Sequence, residues 1–165
     1  MGKGNQKIQI IMSINQIDEI KNCISRYLGI REHSKTELFD KLFKKNFNQI
    51  EIEECILDFE AKGLQSDERY AQRYVESKYK AQKGPRLIES NLIKNGVNKK
   101  IINDALLSYT KQDWENSAII ALEKKTFSKK TFTDKVKVEK QKIFLMSRGF
   151  GYHIIEKAIN RFWKL

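Results

Sequence analysis

Apolar residues recur along this chain at intervals of three and four, and no long stretch alternates with period two. Ile17, Ile20, Ile24, Tyr27 and Leu28 form one stripe; Leu38, Phe39, Leu42 and Phe43 the next; Ile52, Cys55, Ile56 and Phe59 a third. Tyr70, Ala71, Tyr74 and Val75 follow, then Leu87, Ile88 and Leu92, then Ile101, Ile102, Ala105, Leu106 and Tyr109. Trp114, Ala118, Ala121 and Leu122, the pair Val138 and Leu145, and Ile154, Ile155, Ala158, Ile159 and Phe162 complete the series. Spacings of i, i+3, i+4 and i+7 place each set on one face of a helix. The pattern predicts nine helices and an all-α fold.

The punctuation between stripes agrees. Ser34-Lys35-Thr36-Glu37 reads as a capping box, with the Ser34 hydroxyl on an orphan N–H and Glu37 reaching back. Gly63 suits a left-handed C′ position, Asp67 a cap for the following helix, and Pro85 a first helical position where its missing N–H costs nothing. The helices also repeat in threes. Leu42, Leu92 and Leu145 align; five residues later come Phe47, Val97 and Phe150; eight later again come Cys55, Ala105 and Ala158. Each copy carries a short turn, Lys45–Asn48, Asn95–Asn98 and Arg148–Gly151. A supersecondary unit recurring near every fifty residues predicts a repeat array, each unit burying its stripes against itself and its neighbours. The expected organisation is a mobile segment over 1–14, then three tandem three-helix repeats over 15–63, 64–110 and 111–165, forming an elongated, curved array. The longest unpatterned loop is expected near Lys124 to Lys135.

Composition narrows the function. One proline and eight glycines supply too little turn chemistry for a sandwich or barrel. The net charge of +11 favours a polyanionic partner, nucleic acid before an anionic membrane, over a merely solubilising surface. Cys23 and Cys55 each fall on an apolar stripe outside any CxxC pair and read as buried thiols. The N-terminal patch, interrupted by Gln9, makes no convincing signal peptide, and no run approaches a membrane span. The expected compartment is the cytoplasm.

Catalytic signatures are missing. No GxxxxGK[ST], GxGxxG, HExxH or GxSxG motif occurs. His33 and His153 are too few for a histidine metal cluster, and a surface role is the default for both. Glu51, Glu53, Glu54, Asp58 and Glu60 lie opposite Ile52, Ile56 and Phe59, as a solvated helix face does; contact with a basic protein surface is a secondary reading. No catalytic, cofactor or metal residues are assigned. The bases are clustered instead. Lys78, Lys80, Lys83, Arg86, Lys94, Lys99 and Lys100 face one acid, Glu89; Lys124, Lys125, Lys129, Lys130, Lys135, Lys137, Lys140 and Lys142 face Asp134 and Glu139. Lysine suits phosphate neutralisation better than base reading. Phe127 and Phe132 interleave the second cluster and suit either base stacking or anchoring of the loop.

Four stretches bear a family likeness. Arg26-Tyr27-Leu28 with Arg31-Glu32-His33-Ser34-Lys35-Thr36-Glu37-Leu38 resembles the opening of the RecX family, regulators of the RecA recombinase. Gly63-Leu64 with Asp67-Glu68-Arg69-Tyr70-Ala71-Gln72-Arg73-Tyr74-Val75 is similar to that family's next segment. Gly84-Pro85-Arg86-Leu87-Ile88 with Leu92 and Gly96-Val97 resembles the third, and Lys140-Gln141-Lys142-Ile143-Phe144-Leu145-Met146-Ser147-Arg148-Gly149-Phe150 the last. The match runs from about residue 20 to the end. Ser147 departs from a second arginine in the final motif, and Gly29-Ile30 intervenes in the first. The resemblance implies a non-enzymatic regulator of recombination, DNA repair and the SOS response. Such a protein lies in the groove of a RecA–DNA filament, inhibits its growth or activity, touches single- and double-stranded DNA, and has no cofactor or membrane. A monomer is expected. Candidate contacts are Arg31, Lys35, Arg69, Arg73, Lys78, Lys83, Arg86, Lys94, Lys124, Lys125, Lys129, Lys130, Lys140, Lys142 and Arg148. Arg86, Lys94, Lys140, Lys142 and Arg148 form the central set, although Lys142 and Arg148 also suit helix capping. From the residues alone the reading stops at a basic helical module that binds DNA or RNA without sequence preference.

Overall fold

The computed structural model describes the backbone of residues 3–126 and 135–163, and the side chains of 15–125 and 138–163. Nine α-helices and no strands occur among them: α1 (Lys3–Ile30), α2 (Lys35–Phe43), α3 (Gln49–Ala61), α4 (Asp67–Lys80), α5 (Pro85–Lys94), α6 (Lys99–Leu106), α7 (Lys111–Thr126), α8 (Lys135–Ser147) and α9 (Tyr152–Trp163). The backbone of α1 begins well upstream of its stripe. α7 runs to Thr126, so Lys124 and Lys125 lie in its last turn. Phe127, Lys129, Lys130 and Phe132 lie outside the described residues.

The chain divides into two compact units. One comprises the residues up to Tyr70 with Asn95–Val97; the other comprises Ala71–Lys94 and the residues from Asn98 onward. In the first unit, α1, α2 and α3 pack around Ile20, Cys23, Ile24, Leu38, Leu42, Ile52, Cys55, Ile56 and Phe59, all buried. These are the stripe residues, and both cysteines are free thiols. Burial of such side chains contributes about 1.5–3 kcal/mol each. The start of α2 is fastened by local chemistry. Ser34 Oγ accepts from the Glu37 N–H at 3.1 Å and donates to the Asn95 carbonyl at 2.8 Å. The Glu37 carboxylate completes no capping box; it forks onto Arg31 at 3.0 and 3.1 Å, because a two-point charged pair outweighs a neutral N–H. Ser66, not Asp67, caps α4 through the Arg69 N–H. Asp67 instead accepts from the Lys35 N–H at 3.0 Å and from Gln65 Nε2 at 2.8 Å, tying the start of α4 to the start of α2.

In the second unit, α9 packs along α7 and against α8, and α5 pairs with α6. Ala118, Ala121 and Leu122 of α7, Leu145 of α8 and Ile155, Ala158 and Ile159 of α9 are buried. Tyr79, Tyr109 and Trp114 form an aromatic cluster with centroids 4.0–5.4 Å apart. Glu115, buried, meets Lys157 at 3.2 Å and Arg161 at 3.7 Å.

The repeat is visible residue by residue. Leu42, Leu92 and Leu145 are each fully buried near the end of a helix. Four residues later the backbone is left-handed in every copy, at Asn46 (φ 64°), Gly96 (φ 73°) and Gly149 (φ 87°). Glycine and asparagine are the residues that adopt this conformation most readily.

Candidate nucleic-acid interface

The positive charge is confined to part of the chain. Residues 1–63 hold ten Lys and Arg against ten Asp and Glu, whereas residues 64–165 hold 22 against 11. The whole net charge therefore belongs to the second stretch.

In the first unit the candidate bases are engaged. Arg31 is forked onto Glu37, and that hydrogen bond raises its pKa further. Lys35 Nζ lies 2.9 Å from Glu60, and that bond likewise raises its pKa. Arg69 donates to Glu32 at 2.8 Å and to the Leu64 carbonyl at 2.9 Å. His33, expected at the surface, is instead buried against Tyr27, with Nδ1 3.0 Å from the Arg31 carbonyl. Burial pulls its pKa down, so it is neutral near pH 7.

The second unit is different. Arg86, Lys94 and Lys140 are exposed and make no ion pair among the described residues. Lys83 also has no ion pair there, and Lys78 lies over the Tyr74 ring. Arg73 makes a long pair with Glu76 at 3.4 Å. Lys142 is held between Glu156 (2.9 Å) and Glu139 (3.4 Å), so its charge is locally matched, and the Glu156 hydrogen bond raises its pKa.

Arg148 has a structural part. The turn before α5 and the turn before α9 meet backbone to backbone: the Gly84 N–H donates to the Arg148 carbonyl at 2.7 Å and the Arg86 N–H to the Gly149 carbonyl at 3.0 Å. A Cβ on Gly84 would collide with the Gly149 backbone, so this approach requires glycine. Arg148 reinforces it, donating through Nε to the Gln82 carbonyl and through Nη2 to the Ala81 carbonyl, both at 2.8 Å. These carbonyls end α4, where cationic donors are favourable.

Around that junction the fold gathers residues that are distant in sequence. Lys124 Nζ donates to Gln82 Oε1 at 2.8 Å, Lys125 Nζ stands 4.0 Å from the Phe144 ring centre, and the Arg148 guanidinium lies 5.1 Å from the same centre. With Ala121 they line a cavity of about 260 Å³. Gln82 carries no charge and no motif, and Phe144, although it lies in the last family-like stretch, was not a candidate contact. The one available signal was a non-glycine residue, Gln82, two positions before Gly84-Pro85.

Fold and surface thus define a class: an all-helical repeat protein whose second unit exposes Arg86, Lys94 and Lys140 with no ion pair among the described residues. Residues 66–106 match the family model described as RecX, second three-helix domain. A regulatory protein RecX from Legionella pneumophila (strain Corby) is 33% identical over 133 residues, covering 81% of this chain and 87% of that one. The regulatory protein RecX of Haemophilus influenzae (strain PittEE) is 35% identical over 132 residues, covering 78% and 85%. Among solved structures, the crystal structure of RecX from Lactobacillus salivarius superposes with a TM-score of 0.80 at 28% identity, over 92% of this chain and 99% of that chain. The chain belongs to the RecX family, whose named relatives are regulatory proteins. No helix among the described residues is long and apolar enough to cross a membrane.

Proposed function

We propose that this protein regulates homologous recombination by occupying the groove of a RecA–DNA filament and inhibiting its growth or activity, with no chemistry of its own. Family membership supplies the regulatory role. The observation that carries the DNA part is the second unit's set of exposed bases, Arg86, Lys94 and Lys140, which make no ion pair among the described residues. Such side chains neutralise phosphates without reading sequence. Arg31, Lys35 and Arg69 are already ion-paired, which argues for a supporting role in the fold rather than for DNA contact.

The test is direct. The protein is titrated into its cognate RecA on single-stranded DNA while ATP hydrolysis and filament length are followed. Progressive inhibition at substoichiometric to stoichiometric ratios is expected. Tight DNA binding with unchanged RecA activity would instead favour a DNA- or RNA-binding module with no recombinase partner.

A further inference from the structure

The cavity beside the α4–α5 turn has the makings of a specific site rather than a diffuse charged surface. Three cations, Lys124, Lys125 and Arg148, converge on it from the ends of α7 and α8. None of the three has a carboxylate of the described residues within ion-pair distance. Elsewhere in the same unit Glu115 takes two cations and Lys142 two carboxylates, while Arg86, Lys94 and Lys140, also without an ion pair among the described residues, do not line this cavity. Like charges gathered without a counter-ion repel, and an anion placed among them relieves the repulsion.

Each cation is also held in place. Arg148 is fixed by the Ala81 and Gln82 carbonyls, which leaves donors on its other terminal nitrogen to point elsewhere. Lys124 is fixed by the Gln82 side-chain oxygen, and Lys125 by the face of Phe144. These contacts reduce the side-chain freedom that binding would have to remove.

Gln82 ties the arrangement together. Gln82 N–H donates to the Tyr79 carbonyl and Lys83 N–H to the Lys78 carbonyl, the paired bonds of a helix end that turns through a left-handed residue. That residue is Gln82, at φ 50°, where glycine would be unstrained. Glycine there would free Lys124. A strained residue that orients a cation is expected at a binding site more than in a plain turn.

The geometry points to a pocket for one phosphodiester group of the DNA backbone, held by Lys124, Lys125 and Arg148 and shaped by Gln82 and Phe144. It deepens the proposed function and rests on its DNA-binding part. Because Lys125 already covers a face of Phe144, the ligand is the phosphate and not a stacked base.

Nuclear magnetic resonance on the whole ¹⁵N-labelled chain tests this. The hydrogen-bonded Arg148 Nε–H gives a resolved probe in the pocket. Dimethyl phosphate, a bare phosphodiester, should shift that signal saturably, as should a dT20 oligonucleotide, while chloride at equal ionic strength should not. In Lys124→Gln/Lys125→Gln the dimethyl phosphate shift should vanish. Its log–log salt slope for dT20 binding should drop by about 0.7, one phosphate's share on a single strand. Lys99→Gln/Lys100→Gln, an equal charge change outside the cavity, should keep the dimethyl phosphate shift. A shift with inorganic phosphate alone would assign the pocket to a free anion and overturn the proposal. So would dT20 binding by the wild type with no response at Arg148, and in that case the DNA reading survives. If the wild type does not bind dT20 at all, both readings fall.

Discussion

Arg148 shows how one side chain can serve both fold and surface. Its two bonds to the Ala81 and Gln82 carbonyls occupy oxygens that the α4 helix leaves unpaired at its end. Arg148→Ala should therefore destabilise by about 1–3 kcal/mol in urea denaturation, mainly the cost of stranding the part-buried Gln82 acceptor. That makes it a poor charge-reversal variant for testing DNA contact. His33 makes a second prediction at this scale. Burial lowers its folded pKa below the unfolded value of about 6.5. Below that value the unfolded chain binds a proton that the folded chain resists, so stability falls as pH drops from 7 through about 6.5 toward the lower folded value. The melting temperature of His33→Gln should vary less between pH 7 and 5.5 than that of the wild type. Equal slopes would remove His33 as the cause.

Helices and their turns carry the next layer. Leu92 is fully buried near the end of α5, as Leu42 is in α2 and Leu145 in α8. Leu92→Ala should cost about 2–5 kcal/mol, read from the chemical-denaturation midpoint, as loss of a buried leucine does elsewhere. A value near zero would mean that this stripe does not build a core. Gly149 is both left-handed and pressed against Leu87, so a methyl group there meets strain and collision together. Gly149→Ala should cost about 2 kcal/mol or more. Asn46→Gly, at the equivalent turn, should instead be nearly neutral.

For the molecule as a whole, the separation of neutral from basic sequence is the feature with functional consequence. Exposed Arg86, Lys94 and Lys140 have no ion pairs to lose among the described residues. The triple variant Arg86→Glu/Lys94→Glu/Lys140→Glu should melt within a few degrees of wild type, since exposed substitutions rarely exceed about 0.5 kcal/mol each. It should nevertheless inhibit cognate RecA ATPase and strand exchange far more weakly, with a shallower salt dependence of DNA binding. Inhibition equal to wild type would show that these bases are not the contact surface.

Nine helices, the fifty-residue repeat and the family were legible in the residues. Apolar spacing reports helical faces, and a turn that needs a left-handed residue leaves Asn46, Gly96 and Gly149 at matching positions. Side-chain partnership was not legible, because it depends on which charges the folded backbone brings within about 3 Å. The sequence offered Arg31, Lys142 and Lys140 all as candidates, the last two in the central set. The fold pairs Arg31 with Glu37 and Lys142 with Glu156, and gives Lys140 no ion pair among the described residues. His33 looked like a surface residue because its buried surroundings come partly from the turn before α4, where Gln65 Nε2 donates to the His33 carbonyl across 32 positions of sequence. The cavity at Gln82 was hidden for the same reason. Its cations come from the ends of two helices that meet a turn 42 to 66 residues away, and no local pattern records that meeting.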